Sequence, residues 1–311
     1  MRLQFLKRAR AKPGVLCFTM VYNEEWFLPR FLDHYRALGI SHFAFYDDGS
    51  TDSTRELLMA QDDCTVITAA DPETPHGVAV QTDLINGVPE MLSQGSWSIS
   101  VDADEFLLLP TLFKSIDEVV VYLEKRKEEC ALAPMIDFYP DKLADRFFGE
   151  KSLFEGCPWF DVDSPLQRVP DKPQPRMIPA GVRVRLLTKI MRRHPELVEA
   201  IYGEEVYRYA KLWKVPLLKT GSDTFRIGPH NVDTRPPEFI QLALAHFKFY
   251  PELDRRIEES LARNVHYLGA VEYRFLKMCL ELFADESLLF RRSKYYRSPQ
   301  DLEDAKLMWA E

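Results

Sequence analysis

The sequence predicts an α/β fold: a mostly parallel sheet flanked by helices, followed by a helical C-terminal extension. Between residues 14 and 101, short apolar runs alternate with segments of helical periodicity. Beyond residue 250 the apolar residues recur at helical spacing alone. Because parallel neighbours need crossover connections, strands that alternate with helices indicate a sheet covered on both faces. We therefore expect one sheet domain over residues 1–250 and a helical extension over residues 251–311.

Apolar runs bounded by polar sequence define the elements. Strands are predicted in the following segments: 14–21, 42–46, 64–69, 96–101 and 131–139. Helices are predicted in the following segments: 24–40, 52–60, 78–92 with an interruption near Gly87 and Pro89, 114–129, 253–268, 271–283 and 301–310. Residues 140–182 are rich in Pro, Gly and aromatic residues and predict ordered loops and short strands.

Composition narrows the function classes. The 311-residue chain has a formal net charge of −8, so no overall positive field would attract nucleic acid. Basic residues cluster at 1–12, 183–193 and 291–297, which indicates either solvated surfaces or contact with phosphate or the anionic surface of the inner membrane.

The cysteines indicate the compartment. There are five, an odd number with no CxxC pair, and Cys17, Cys64 and Cys130 lie in or beside apolar runs where buried thiols are expected. No segment has the apolar length of a signal peptide or a membrane span. We expect a cytoplasmic protein, with peripheral membrane contact as the alternative location.

Three predicted strands end in polar sequence: YNEE (22–25), DDGSTD (47–52) and DADE (102–105). In open α/β sheets, ligands bind beyond the carboxyl ends of the strands. Asp102 and Asp104 are two residues apart, so on an extended chain both carboxylates share a face and can hold Mg²⁺ or Mn²⁺. The alternative is a solvated acidic turn. For Asn23, Ser50 and Asp52, the alternative role is helix capping.

The succession MVYNEEWFLPRFLDHYRALGISHFAFYDDGSTDST and WSISVDADEFLLL resembles family 2-type glycosyltransferases of the GT-A fold, especially a bacterial branch with DxDEF. MIDFYPD, GVRVR, GPHNV and LAHFKFYPELDRR are also similar, so the resemblance covers residues 14–275. It implies a metal-dependent enzyme, inverting in outcome, that moves a sugar from a nucleotide-diphosphate donor to a glycan or lipid-linked acceptor.

The resemblance also implies a set of site residues. The metal, Mn²⁺ or Mg²⁺, would be held by Asp102, Asp104 and His246, with His230 as a second candidate histidine. The expected contacts to the nucleotide-sugar are Tyr22, Asn23, Glu24, Asp47, Asp48, Gln81, Asp102, Arg183 and Lys248. Arg183 and Arg185, two residues apart, are candidate phosphate clamps, and a solvated basic strand is the alternative.

An inverting transferase needs a carboxylate as general base near the acceptor hydroxyl. The candidates are Asp137 and Asp161, which follow apolar or aromatic residues, and Glu105 beside the aspartate pair. Two other functions compete with glycosyl transfer. One is an aspartate-based phosphotransferase with Asp102 as nucleophile, which lacks the hydroxyl residue expected where Phe106 stands. The other is a non-catalytic nucleotide- or carbohydrate-binding protein of the same fold.

Overall fold

The structure, a computed structural model, describes residues 2–10, 13–71, 78–93, 95–202, 212–263 and 267–311. It has the predicted α/β class, with helices flanking a large central sheet. The strands within the described residues are β1 (Leu3–Lys7), β2 (Leu16–Val21), β3 (His42–Asp47), β4 (Cys64–Ala69), β5 (Trp97–Ser100), β6 (Glu105–Leu108), β7 (Cys130–Tyr139), β8 (Trp159–Asp161), β9 (Leu166–Gln167), β10 (Arg176–Met177), β11 (Trp213–Lys219), β12 (Ile240–Gln241), β13 (Ala243–His246), β14 (Ser293–Tyr295) and β15 (Trp309–Ala310).

The helices within the same residues are α1 (Leu28–Ala37), α2 (Thr54–Met59), α3 (Val78–Ser93), α4 (Ile116–Glu124), α5 (Leu153–Gly156), α6 (Val182–Arg193), α7 (Pro195–Tyr202), α8 (Leu253–Arg263), α9 (Tyr267–Phe283) and α10 (Gln300–Asp304), with a 3₁₀ helix at Leu143–Arg146.

The central sheet has the strand order β1-β4-β3-β2-β5-β11-β7-β13-β6, with β8 and β14 continuing from β7. Strands β4, β3, β2 and β5 are parallel neighbours, as the alternation of strand and helix predicted. Strand β11 then enters antiparallel between β5 and β7, and β13 lies between β7 and β6. These two insertions join the second half of the chain to the parallel unit.

Helices cover both faces of the parallel unit, and alternation along each strand divides the buried side chains between them. The hydrophobic core is larger on one face of these strands than on the other. On β2, Cys17 and Val21 pack into the larger core with helices α1 and α4. Leu16 and Phe18 point the other way and pack with α3. Residues of α8, α9 and α10 belong to the same larger core, so the C-terminal extension packs directly on the sheet domain. The domain boundary at residue 250 stays a prediction.

Strand β6 is at one end of the sheet, and α1 satisfies its open edge. The Tyr35 hydroxyl donates to the Glu105 carbonyl at 3.0 Å and accepts from the Leu107 amide at 3.1 Å. His34 Nε2 lies 2.8 Å from the Leu107 carbonyl. Burial lowers the pKa of His34 to about 4, so the ring is neutral and its N–H is the donor. Two side chains thus replace the ladder partners that an edge strand lacks.

Several predicted elements differ from the structure. Residues 3–7 form an edge strand antiparallel to β4, although their sequence indicated only a basic segment. Helix α3 is continuous through Pro89. The segment 301–310, predicted as one helix, ends its helix at Asp304 and closes with β15. Strand β11 had no predicted counterpart. Residues 140–182 are short strands, short helices and loops, as expected.

The structure shows the surroundings of the cysteines and of one basic segment. All five cysteines are buried free thiols, which confirms the prediction for Cys17, Cys64 and Cys130. In the described part of the chain, no helix combines the length and apolar character needed to cross a membrane. The basic segment 183–193 is largely paired: Arg183, Arg185, Lys189 and Arg193 each contact an acidic side chain.

Tyr35→Phe tests the edge contact of β6. The substitution keeps the buried ring and removes the hydroxyl, which leaves the Leu107 amide buried without a partner, so we expect the free energy of unfolding to fall by about 1–3 kcal/mol. Urea unfolding with an unchanged m-value measures it. Tyr295→Phe, at a tyrosine that is 40% exposed, is the control and should change stability little. Equal stability of the two variants would contradict the bridging role.

Candidate active site

The loops after β2 and β3 interlock at the carboxyl edge of the sheet. Asn23 has a φ of +54°, a left-handed conformation that asparagine tolerates better than most residues. Its side-chain oxygen accepts from the Thr51 amide at 2.8 Å, and its own amide donates to Ser50 Oγ at 3.1 Å. The Glu24 amide donates to Thr54 Oγ1 at 2.7 Å. Asn23 therefore fastens the two loops to each other; the N-cap of α1 is Phe27.

The two aspartates after β3 have different surroundings. Asp47 is fully buried, accepts from the Ser50 amide at 2.8 Å and pairs with Arg55 at 2.6 Å. It holds the tight turn in which Gly49 takes a φ of +82°. Asp48 instead pairs with Arg263 of α8 at 2.9 Å. Asp48 is thus the one of the pair that faces the helix above the sheet edge.

Helix α8 places arginines on the residues expected to contact nucleotide. Arg256 and Arg263 are seven residues apart, two helical turns, and so share a face. Arg256 Nη2 lies 2.8 Å from Glu24 Oε1, and Arg256 also donates to the Tyr22 carbonyl at 2.5 Å. Arg263 stacks on the Tyr22 ring, 3.6 Å from its centroid. Burial raises the pKa of Glu24 to about 7 despite the charge of Arg256.

Residues 102–105, here called the acidic turn, connect β5 to β6. Strand β11 lies beside β5, and Lys214, near the start of β11, reaches the turn that follows β5. Lys214 Nζ is 2.7 Å from Asp102 Oδ2 and 2.8 Å from the Glu105 carboxylate. The Lys214 side chain is only 4% exposed, so this ammonium is a built-in counter-ion.

Asp104 faces a second set of partners. Its Oδ2 is 2.7 Å from Lys248 Nζ and 3.6 Å from His246 Nε2. The other ring nitrogen, His246 Nδ1, is 2.8 Å from Asp137 Oδ1. Burial is the main influence on the pKa of Asp104 and would raise it, but Lys248 and His246 together lower it. The imidazole is thus held between two ionised carboxylates.

Strand register explains this arrangement. His246, the last residue of β13, is directly opposite Glu105 on β6 and Asp137 on β7. Asp104, Glu105 and His246 offer ligand atoms that all lie within 4.8 Å of one another, and they are the one such group found within the described residues. Asp104 and His246 are in the predicted metal set. Asp102 lies outside this group and pairs with Lys214, and its role as a metal ligand stays a prediction.

The basic residues of GVRVR lie on a helix, which corrects the basic-strand alternative. From α6, Arg183 donates to both oxygens of Asp137, at 2.8 and 2.9 Å, and also pairs with Glu272 of α9. Two residues on, Arg185 donates to both oxygens of Asp161, at 2.8 and 3.1 Å. Both arginines are committed to carboxylates of the protein rather than free to clamp a phosphate.

The candidate general bases differ in their readiness to accept a proton. Burial alone would raise the pKa of Asp137, but Arg183 and His246 keep it low, so this carboxylate is a weak base. Burial raises the pKa of Asp161, but Arg185 and Tyr139 occupy its oxygens. Burial and the nearby Asp102 raise the pKa of Glu105. The identity of the base stays a prediction.

Two other predicted site residues lie on other segments of the chain. Gln81 is in α3, shortly after residues 72–77, which are outside the described residues. His230 Nδ1 lies 2.8 Å from the Trp213 carbonyl, and His230 is not in the group of candidate metal ligands.

Sequence reasoning missed Lys214, Glu272 and the arginines of α8. Lys214 had a usable signal, because a lysine within the apolar run WKVPLLK needs an acidic partner when buried. The spacing of Arg256 and Arg263 was also visible. Their partners were not, because nothing local indicates that α8 folds back over the sheet edge.

Comparison with known proteins adds one finding. The family model described as glycosyltransferase family 92 matches residues 12–60. The match supports a glycosyltransferase enzyme. It spans β2, α1, β3 and α2, and so includes both interlocked loops at the sheet edge. No curated protein matches the chain. The match leaves the family 2-like branch with DxDEF unconfirmed.

Lys214→Met tests the counter-ion role. It leaves Glu105 buried and unpaired, so we expect the glycosyltransferase to lose about 3–5 kcal/mol of unfolding free energy in urea. Adding Glu105→Gln should recover most of that loss, because no unpaired charge then remains buried.

Lys219→Met, on the same strand, is the matched control. Lys219 is 36% exposed and lies 3.5 Å from an exposed Glu124, so its loss should cost at most about 1 kcal/mol. Equal losses from the two lysine variants, or no recovery in the double variant, would contradict a buried counter-ion.

Proposed function

We propose that this glycosyltransferase transfers a sugar from a nucleotide-diphosphate donor to a glycan or lipid-linked acceptor, with inversion and with a bound Mn²⁺ or Mg²⁺. The proposal follows the family 2-like resemblance of the motifs at the strand ends. Its support in the structure is the convergence of three side chains of metal-ligating type, Asp104, Glu105 and His246, at the edge that also carries Asn23 and Asp48.

The donor set fits a divalent cation. Two carboxylates supply the hard oxygen ligands that Mg²⁺ and Mn²⁺ prefer, and the imidazole nitrogen favours Mn²⁺ of the two. Asp137 takes the second ring nitrogen of His246, which directs Nε2 toward Asp104. When bound, such a cation stabilises the negative charge that develops on a departing nucleoside diphosphate.

The chain's own residues account for the rest of the site. Asp102 and Glu105 are oriented by Lys214, so the acidic turn is held in place before any ligand binds. Tyr22, Glu24 and Asp48 line the edge where the nucleoside is expected, and the arginines of α8 contact all three. Arg183 acts by fixing Asp137 and Glu272, and Lys248 is the nearest lysine contact of Asp104.

The competing functions have less support. The family match favours glycosyl transfer over a phosphotransferase or a non-catalytic module. As a nucleophile, Asp102 would have to be free, but its Oδ2 is paired with Lys214 at 2.7 Å. A cytoplasmic location stays part of the proposal on the strength of the five reduced thiols. Peripheral contact with the inner membrane is the weaker alternative, because most basic residues of 183–193 are paired.

Release of nucleoside diphosphate tests the proposal directly. The protein is incubated with Mn²⁺, a panel of uridine, guanosine and thymidine diphosphate sugars and candidate glycan acceptors. We expect one donor to turn over and Asp104→Asn to lower kcat/KM by about a hundredfold or more, since one metal ligand is removed.

Asp33→Asn, at an exposed aspartate on α1, is the control and should keep full activity. EDTA should abolish turnover and added Mn²⁺ should restore it. Undiminished turnover by Asp104→Asn, or turnover that EDTA does not affect, would refute the metal role.

A further inference from the structure

Lys248 lies beside the candidate metal ligands. Lys248 follows β13 by two residues, and its Nζ lies 2.7 Å from Asp104 Oδ2. His246 Nε2 approaches the same oxygen, at 3.6 Å. A cation held by Asp104 and His246 would approach the same carboxylate. The ammonium therefore lies beside a group that a divalent ion would use.

Two positive centres at one carboxylate repel each other. The repulsion is strong here because Lys248 and Asp104 have side chains only 15% and 16% exposed, so water screens their charges poorly. A divalent ion at this carboxylate therefore either displaces the ammonium or binds beside it with low affinity. Lys248 is thus a counter-charge of Asp104 in the structure.

The two lysines of the acidic turn are not equivalent. Lys214 lies inside β11, is 4% exposed and contacts two carboxylates at once. Lys248 lies beyond the last residue of its strand and contacts Asp104, with Glu272 of α9 as a further electrostatic partner. A lysine has a flexible four-carbon stem and three donors. Of the two, Lys248 is the more exposed and the one outside a strand.

We propose that Lys248 is an internal competitor of the divalent cation, pairing with Asp104 in the free protein and turning to the donor's diphosphate when the cation binds. This inference rests on the proposed function. Its consequence is that metal alone binds weakly, while metal and diphosphate bind cooperatively, because the diphosphate supplies the displaced ammonium with a new anion. Free nucleotide without metal would find Lys248 already paired.

Mn²⁺ binding to the full-length protein tests the competition without any turnover. Binding of Mn²⁺ alone is measured by electron paramagnetic resonance for the wild type and for Lys248→Met, which keeps the stem and removes the charge. We expect the variant to bind Mn²⁺ about tenfold tighter or more, since a competing charge is gone. Inorganic pyrophosphate, added at saturating Mn²⁺, should bind the variant about tenfold more weakly because a charged hydrogen bond is lost.

Two further variants keep the test decisive. Lys248→Arg retains the charge and should keep the weak Mn²⁺ affinity of the wild type even if Lys248→Met folds poorly. Lys294→Met removes a lysine paired with Asp301 and Asp304 and controls for the change in net charge. Tighter Mn²⁺ binding by Lys294→Met or by Lys248→Arg would overturn the proposal.

The outcomes distinguish a failure of the Lys248 competition from a failure of the metal site. If the wild type binds Mn²⁺ and Lys248→Met binds it no more tightly, the competition is wrong while the metal site stands. If neither protein binds Mn²⁺, the metal dependence in the proposed function fails, and the competition fails with it. If Lys248→Met binds Mn²⁺ tightly and the wild type does so only with pyrophosphate, both are supported.

Discussion

Compensation of buried negative charge is the constraint on which the site depends. The acidic turn places three carboxylates within four residues at the end of a buried strand, and burial disfavours each ionised group. Lys214 and Lys248 supply the opposing charges from β11 and from the chain just after β13. The chain therefore has to bring distant strands to this turn, and the antiparallel insertions of the sheet do so.

Strand register determines which side chains meet. His246 is opposite both Glu105 and Asp137, so one buried imidazole contacts carboxylates from two neighbouring strands. A shift of one residue in β13 would present Ala245 or Phe247 at that position and turn the histidine to the other face. The apolar residues on either side of His246, both fully buried, oppose such a shift because it would move them out of the core. Packing of the core thus fixes the geometry of the site.

The predictable part of the structure is the part built from local signals. Strands β2, β3, β4 and β5, their helices and the three polar strand ends follow from periodicity and spacing within short segments. The resemblance also selected Asp104, Asp48 and, from LAHFKF, His246, all of which lie at one edge of the sheet. Glycosyl transfer as the reaction class agrees with the family match.

The rest depends on contacts between distant segments, which periodicity does not reveal. Helix α6 is joined to distant strands by two ion pairs, Arg183 with Asp137 and Arg185 with Asp161, over 46 and 24 residues. The sequence alone had indicated that both arginines were open to a ligand. Strand β11 pairs with β5 across more than a hundred residues, so Lys214 was not recognised as a partner of the acidic turn. Asp102 and Asp104 were both expected on an extended chain, but they belong to the turn 102–105, which the spacing of the two residues does not reveal.

The most direct test of the metal site and of the role of Lys248 is a crystal structure of the protein with Mn²⁺ and a nucleoside diphosphate. The metal is located from its anomalous scattering. We expect one anomalous peak beside Asp104 and His246, with the diphosphate next to it and Lys248 turned toward a phosphate oxygen. A diphosphate bound with Lys248 still on Asp104 and no peak at the acidic turn would contradict this expectation.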